Sequence, residues 1–225
     1  MHRCNQNVLA SRILPIVLLC LGVLTLPIGT RAQGTVDGSY VSVSACNAPI
    51  SSCTVYVGST VPQGDAIMIV ASWGGASTTA TINDGHNSYS TIFGPTTVAG
   101  GTNRGQAWIV GSTSSGVTQA TVSLSAPSTT EEILIWIIPL KGLDPISPID
   151  ANVTHVNSGT GTSMTTGTSG LFSSVPKEMI WGIFLEENYS TPYAPGSGFT
   201  NLSGQEAASL LEYKNVTTTG TQTAV

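Results

Sequence analysis

The chain has 225 residues, only 8% of them charged, with seven basic against twelve acidic side chains and a formal net charge of −5. An acidic chain without a basic cluster excludes a nucleic-acid partner and argues against an anionic membrane surface. A chain rich in Thr, Ser, Gly and Val and poor in Lys, Glu, Arg and Leu favours strands and turns over helices.

In chain order, residues 1–32 have the layout of a secretory signal peptide. Arg3 and Arg12 form a basic start, Ile13 to Gly29 is apolar, and Thr30-Arg31-Ala32 offers small residues at a cleavage site before Gln33. The apolar run is short and interrupted by proline for a spanning helix, which needs about 20 apolar residues, so no membrane insertion is expected after cleavage. Without the leader, Arg104, Lys141, Lys177 and Lys214 stand against all twelve acids, a net charge of −8. Residues 33–225 suit a single domain. Cys46 and Cys53 are the two cysteines left, and an even pair in an exported chain is expected as a disulfide.

Ser39 to Ala45 alternates with period two, Thr54 to Gly58 is a short strand, and Ala66 to Trp73 is a strong one after the turn Pro62 to Asp65. Thr78 to Ile82 and Ser88 to Phe93 flank Asn83-Asp84-Gly85-His86-Asn87, a hairpin signal. Gln106 to Gly111 and Val117 to Leu124 follow. Glu131 to Leu140 and Met179 to Leu185 are almost continuously apolar, as strands buried on both faces are. Asn157 to Gly170 is low in complexity, a loop or a Thr-rich edge strand. Gly204 to Glu212 has a helical look, or equally is the approach to a strand. Antiparallel strands of this number cover their apolar faces with one another, so the expected fold is an all-β, two-sheet sandwich of jelly-roll type. Gly220 to Val225 reads as a strand in progress, which implies a chain continuing past Val225.

Three segments together resemble a group of secreted bacterial β-sandwich modules of unsettled function. They are Gly64-Asp65 through Trp73, Asp84-Gly85-His86-Asn87-Ser88-Tyr89, and Lys141-Gly142-Leu143-Asp144-Pro145-Ile146-Ser147-Pro148-Ile149-Asp150. Those modules read roughly GD…W, D-x-x-G-N-x-Y and Y-S-G-L-D-x-x-x-P-x-D. The resemblance covers about residues 60–220 and implies the sandwich fold and no activity. Gly85 sits one place early for the pattern, and Ile138-Pro139-Leu140-Lys141 replaces a Glu-Tyr-Ser type segment. An aromatic-rich final strand is absent, in keeping with truncation.

No G-x-S-x-G elbow occurs, and His86 and His155 are the only histidines after the leader, so a serine hydrolase is not expected. Glu132-Ile133-Leu134-Ile135-Trp136 looks like the E-x-M-I-W strand of jelly-roll endoglucanases. With Glu186 or Glu187 as the acid, Glu132 would complete the carboxylate pair a glycosidase requires. Strand starts also commonly carry solvated glutamates. Trp136 and Trp181 lie in apolar runs and are expected in the core. Trp73 beside Gly74-Gly75, and Tyr189 and Tyr193 in a loop, are the candidate stacking platforms for a sugar. Asn83, Asp84 and Asn87 supply oxygen atoms of the kind calcium takes, and Asx residues initiate turns without any metal. Asn152, Asn188, Asn201 and Asn215 open N-x-S/T sequons. The expected function is a non-catalytic, secreted or cell-surface module that binds a polysaccharide or another surface component. A jelly-roll glycosidase and a purely structural domain of a larger extracellular protein are the alternatives.

Overall fold

The computed structural model describes residues 34–38, 41–75, 79–97, 102–129, 131–149, 178–185, 194–202 and 209–217. The expected leader, the low-complexity segment 157–170 and the terminal segment 220–225 lie outside them.

Twelve strands are described: β1 (Thr35–Val36), β2 (Ser42–Cys46), β3 (Ile50–Val61), β4 (Ala66–Trp73), β5 (Ala80–Asn83), β6 (Ser90–Thr97), β7 (Arg104–Val110), β8 (Val117–Ser128), β9 (Ile133–Lys141), β10 (Glu178–Leu185), β11 (Thr200–Asn201) and β12 (Ser209–Val216). They build antiparallel sheets packed as an all-β sandwich. The central sheet runs β1-β9-β4-β7-β6, with β2 also paired to β9. Two three-stranded sheets, β3-β8-β5 and β10-β12-β11, complete the described strands.

The apolar runs of β4 and β9 follow from this layering. Ile67, Ile69, Ala71, Trp73, Ile133, Ile135 and Ile137 face one way and pack with Val55, Val61, Ala120 and Val122 of the β3-β8-β5 sheet. Ala66, Met68, Val70, Leu134, Trp136, Ile138 and Leu140 face the other way, against Leu211, Met179, Trp181, Ile183 and Leu185 of the β10-β12-β11 sheet. A strand sandwiched between two sheets has no solvent side, so the polar alternation disappears. Each such Ile or Leu contributes about 1.5–3 kcal/mol by leaving water. The outer strands β3 and β8 keep the alternation, because only one of their faces is covered.

Two expectations are corrected. The Asn83–Asn87 turn is not a hairpin: β5 pairs with β8, whereas β6 pairs with β7, so the chain crosses here from one sheet to another. Of the two readings left open for Gly204 to Glu212, the strand holds at Ser209–Glu212, whose residues pair with Gly182 to Leu185 of β10. Met179 to Leu185, expected to be buried on both faces, is mostly half-buried, because β10 lies in the three-stranded β10-β12-β11 sheet and not at the centre of the stack. β3 is also much longer than the expected Thr54 to Gly58, running 12 residues through Ser, Thr and Gly.

Candidate functional site

The three segments that carry the family resemblance are far apart in the chain, yet the strand order brings them to one end of the sandwich. β4 begins there after Pro62–Asp65, β6 begins after Asp84–Tyr89, and β9 ends there before Gly142–Ile149. Hydrogen bonds through Thr113 and Ser114 lace the first two of these loops together. Thr113, 2% exposed, donates its hydroxyl to the Pro62 carbonyl at 2.9 Å and its N–H to the Asp65 carbonyl at 2.9 Å. The Gly64 N–H donates back to Thr113 Oγ1 at 3.1 Å.

Asp84 anchors the neighbouring turn. Its Oδ1 accepts the N–H groups of His86 and Asn87, each at 2.8 Å, and its Oδ2 accepts the Asn87 amide at 2.7 Å and the Tyr89 hydroxyl at 2.8 Å. Burial pushes this carboxyl up, but the hydrogen bonds from Asn87, His86 and Tyr89 outweigh it and hold the group below the usual carboxylate range. Burial and the Asp84 charge together push the Tyr89 phenol well above its ordinary value. Asn87 Oδ1 accepts both the N–H and the hydroxyl of Ser114, at 2.7 and 2.9 Å. Asn83 Oδ1 accepts the Gly85 N–H at 2.7 Å. Thus the side-chain oxygens of Asn83 and Asp84 serve as acceptors within the turn, and that of Asn87 accepts from the Ser114 loop. Among the described residues no group of three or more His, Cys, Asp or Glu is placed to hold a metal.

Beside this laced rim, β6, the end of β7 and the loop Pro145–Ile149 enclose a groove of about 570 Å³ without a charged lining residue. Asp144 shapes the loop by accepting the N–H groups of Ile146 and Ser147 at 2.8 and 3.1 Å. Gly111 lets the loop come close, since a Cβ there would lie 2.6 Å from the Pro145 carbonyl oxygen. Ile146 stands at the lip, 90% exposed.

The other expected site residues fall elsewhere. Trp73 is 1% exposed and belongs to the core between the central and β3-β8-β5 sheets, so it has no free ring face and is not a sugar platform. Its position as the last residue of a strand buried on both faces outweighs the adjacent glycines, and Gly74 is itself closely covered, since a Cβ there would lie 2.5 Å from Glu131 Cβ. Tyr189, Tyr193, Glu186 and Glu187 lie outside the described residues. Glu132 is half-buried immediately before β9. Trp136, four residues on, is 1% exposed inside the second core rather than on a cleft wall. Cys46 and Cys53 are joined by a disulfide that ties β2 to β3, across two sheets.

One aromatic that composition alone did not single out stands free. Tyr56 on β3 is 68% exposed. The register puts it opposite Gln119 and in the same outer face as Thr54, Thr121, Ser123 and Thr81. Strands β3, β8 and β5 contain no charged residue at all. The face is therefore an array of hydroxyl and amide groups around one phenol ring, partly ordered by a 2.7 Å hydrogen bond between the Thr54 and Thr121 hydroxyls. Period-two alternation in Cys53 to Val57 carries the signal for an outward Tyr56, readable once β3 is known to have a single covered face.

No protein family, curated protein or solved structure matches the chain. Of the resemblance drawn from sequence, the antiparallel β-sandwich is what the structure supports.

Proposed function

We propose that this protein is an exported, non-catalytic β-sandwich module that binds a neutral polysaccharide through the outer face of the β3-β8-β5 sheet. The observation that carries this reading is Tyr56, an exposed ring set in an uncharged field of hydroxyl and amide groups. A sugar ring presents C–H groups on one face and hydroxyls at its rim. An amphipathic phenol meets the first, and Thr, Ser and Gln side chains meet the second. A neutral face does not repel or select charge, which suits an uncharged polymer. The Cys46–Cys53 disulfide and the absence, among described residues, of a helix long and apolar enough to cross a membrane are compatible with export.

The test is affinity electrophoresis of the chain from Gln33 onward in gels containing neutral soluble polysaccharides. Retardation by one polymer, abolished in Tyr56→Ala with an unchanged circular dichroism spectrum, is the expected result. Mobility unaffected by every polymer, or equal retardation of the variant, refutes the assignment of this face.

A further inference from the structure

At the loop end of the central sheet, a lysine and two aspartates converge on one face. Thr35 pairs with Lys141 and Val36 with Leu140, so Asp37 comes opposite Pro139, to whose carbonyl its N–H donates at 3.0 Å. On the other side of β9, Ala66 pairs with Leu140, which puts Asp65 opposite Lys141. Residues opposite each other, or two apart on one strand, share a face of a sheet. Asp37, Lys141 and Asp65 therefore lie side by side across β1, β9 and β4. Lys141 Nζ approaches Asp37 Oδ2 to 2.5 Å, closer than an ordinary ammonium–carboxylate contact of about 2.7–2.9 Å. The Asp37 side chain is 12% exposed and that of Lys141 50%.

We propose that Lys141 and Asp37 condense to an intramolecular amide that staples β1 to β9, with Asp65 as the proton donor. Transfer of a proton from the Lys141 ammonium to the Asp37 carboxylate yields the neutral amine and neutral acid. The Nζ lone pair attacks Asp37 Cγ and an N–C bond forms. The C–O bond to the acid hydroxyl breaks, and that oxygen leaves as water with the protons of the amine and the acid. One ammonium and one carboxylate give one amide and one water, with no oxidant or other reactant. Asp65 suits the relay of protons to the leaving oxygen. Burial raises its carboxyl above the ordinary range, Asp37 adds to the rise, and Lys141 offsets it only in part. Its Oδ2 is buried and accepts no hydrogen bond. Effective molarities for well-oriented groups reach about 10⁵ M and above, which is what makes an otherwise slow condensation accessible. The product would tie a two-residue strand, β1, covalently to the strand it edges.

The test is the intact mass of the purified, folded chain after reduction, followed by tryptic mapping. A mass lower than the sequence by one water, and a branched peptide joining the segment containing Asp37 to Lys141 with no cleavage after Lys141, is the expected result. Asp37-Gly38 and Asp84-Gly85 can each lose water as a cyclic imide, so the branched peptide and not the mass alone decides. Lys141→Arg keeps the ion pair without a nucleophilic amine and should show the full mass. Asp65→Asn, folded by circular dichroism, should form the branched peptide far more slowly. A full-mass wild type after prolonged incubation, or a water loss mapped to a linear peptide, would overturn the proposal and leave an ion pair only.

Discussion

Tyr89 donates its hydroxyl to Asp84 Oδ2 at 2.8 Å, at the point where the chain leaves the β3-β8-β5 sheet for the edge of the central sheet. The bond belongs to a set of four converging on one carboxylate, so the crossover is held by a charge-assisted acceptor rather than by a strand ladder. Charge-assisted bonds of this kind are about twice as strong as neutral ones.

Asp84→Asn should therefore cost about 2–3 kcal/mol at neutral pH, measured by urea denaturation. The pH dependence has a defined sign. The folded carboxyl titrates below its ordinary 3.8, so its contribution is complete above that value and is lost as pH falls through the depressed folded value. The stability gap between wild type and Asp84→Asn should accordingly narrow in acid. A gap unchanged down to the acid transition would contradict the role given to the carboxylate.

Tyr56 and Trp73 should separate binding from stability. Tyr56→Ala removes a ring that is 68% exposed and should change stability by no more than about 0.5 kcal/mol. Trp73→Ala empties a site that is 1% exposed and should cost about 3–5 kcal/mol. Thermal denaturation of the two variants beside wild type checks both values.

Gly94 sits at φ +89 in β6, where a Cβ would strike the Gly105 carbonyl oxygen and lie 2.9 Å from Gln106 Cα. Neither obstacle is a side chain that could swing away. Gly94→Ala combines a left-handed backbone with a backbone clash and should cost more than about 1 kcal/mol. Gly58→Ala, with open space around its Cβ and no positive φ, is the matched control and should be nearly neutral.

Reducing the Cys46–Cys53 bond releases a short loop, and the chain-entropy model gives about 2–3 kcal/mol for its closure. The Cys46→Ser, Cys53→Ser pair should lower stability by that order in guanidinium titration, with Cys53→Ser contributing the larger part because Cys53 is 2% exposed. Equal midpoints for the oxidised and reduced chains would show that the bond does not constrain the unfolded state.

Much of the architecture was legible from residue order. The run AIMIVASW announced a strong strand and EEILIWIIPL one buried on both faces, and the structure places β4 and β9 at the centre with sheets on either side, whereas MIWGIFL, read in the same way as EEILIWIIPL, is mostly half-buried in β10. The Cys46–Cys53 pairing followed from these being the two cysteines outside the expected leader. The site was less legible. Trp73 and Tyr56 are both aromatic residues in alternating segments, and nothing within a few residues of either says which is covered. Their fates depend on whether the strand has one covered face or two, a property of its neighbours.

Composition and period-two patterning by themselves determined that this is an all-β chain, because strand propensity is a sum over local terms, and the cysteine count pointed to its disulfide. Only the tertiary structure decided that the Asp84 turn crosses between sheets and that the three motif segments meet at one end. It alone set Asp37, Lys141 and Asp65 abreast and left Tyr56 outside while Trp73 went in. Those outcomes depend on which strands pair and in what register, and pairing between segments tens of residues apart leaves no mark on the residues nearby.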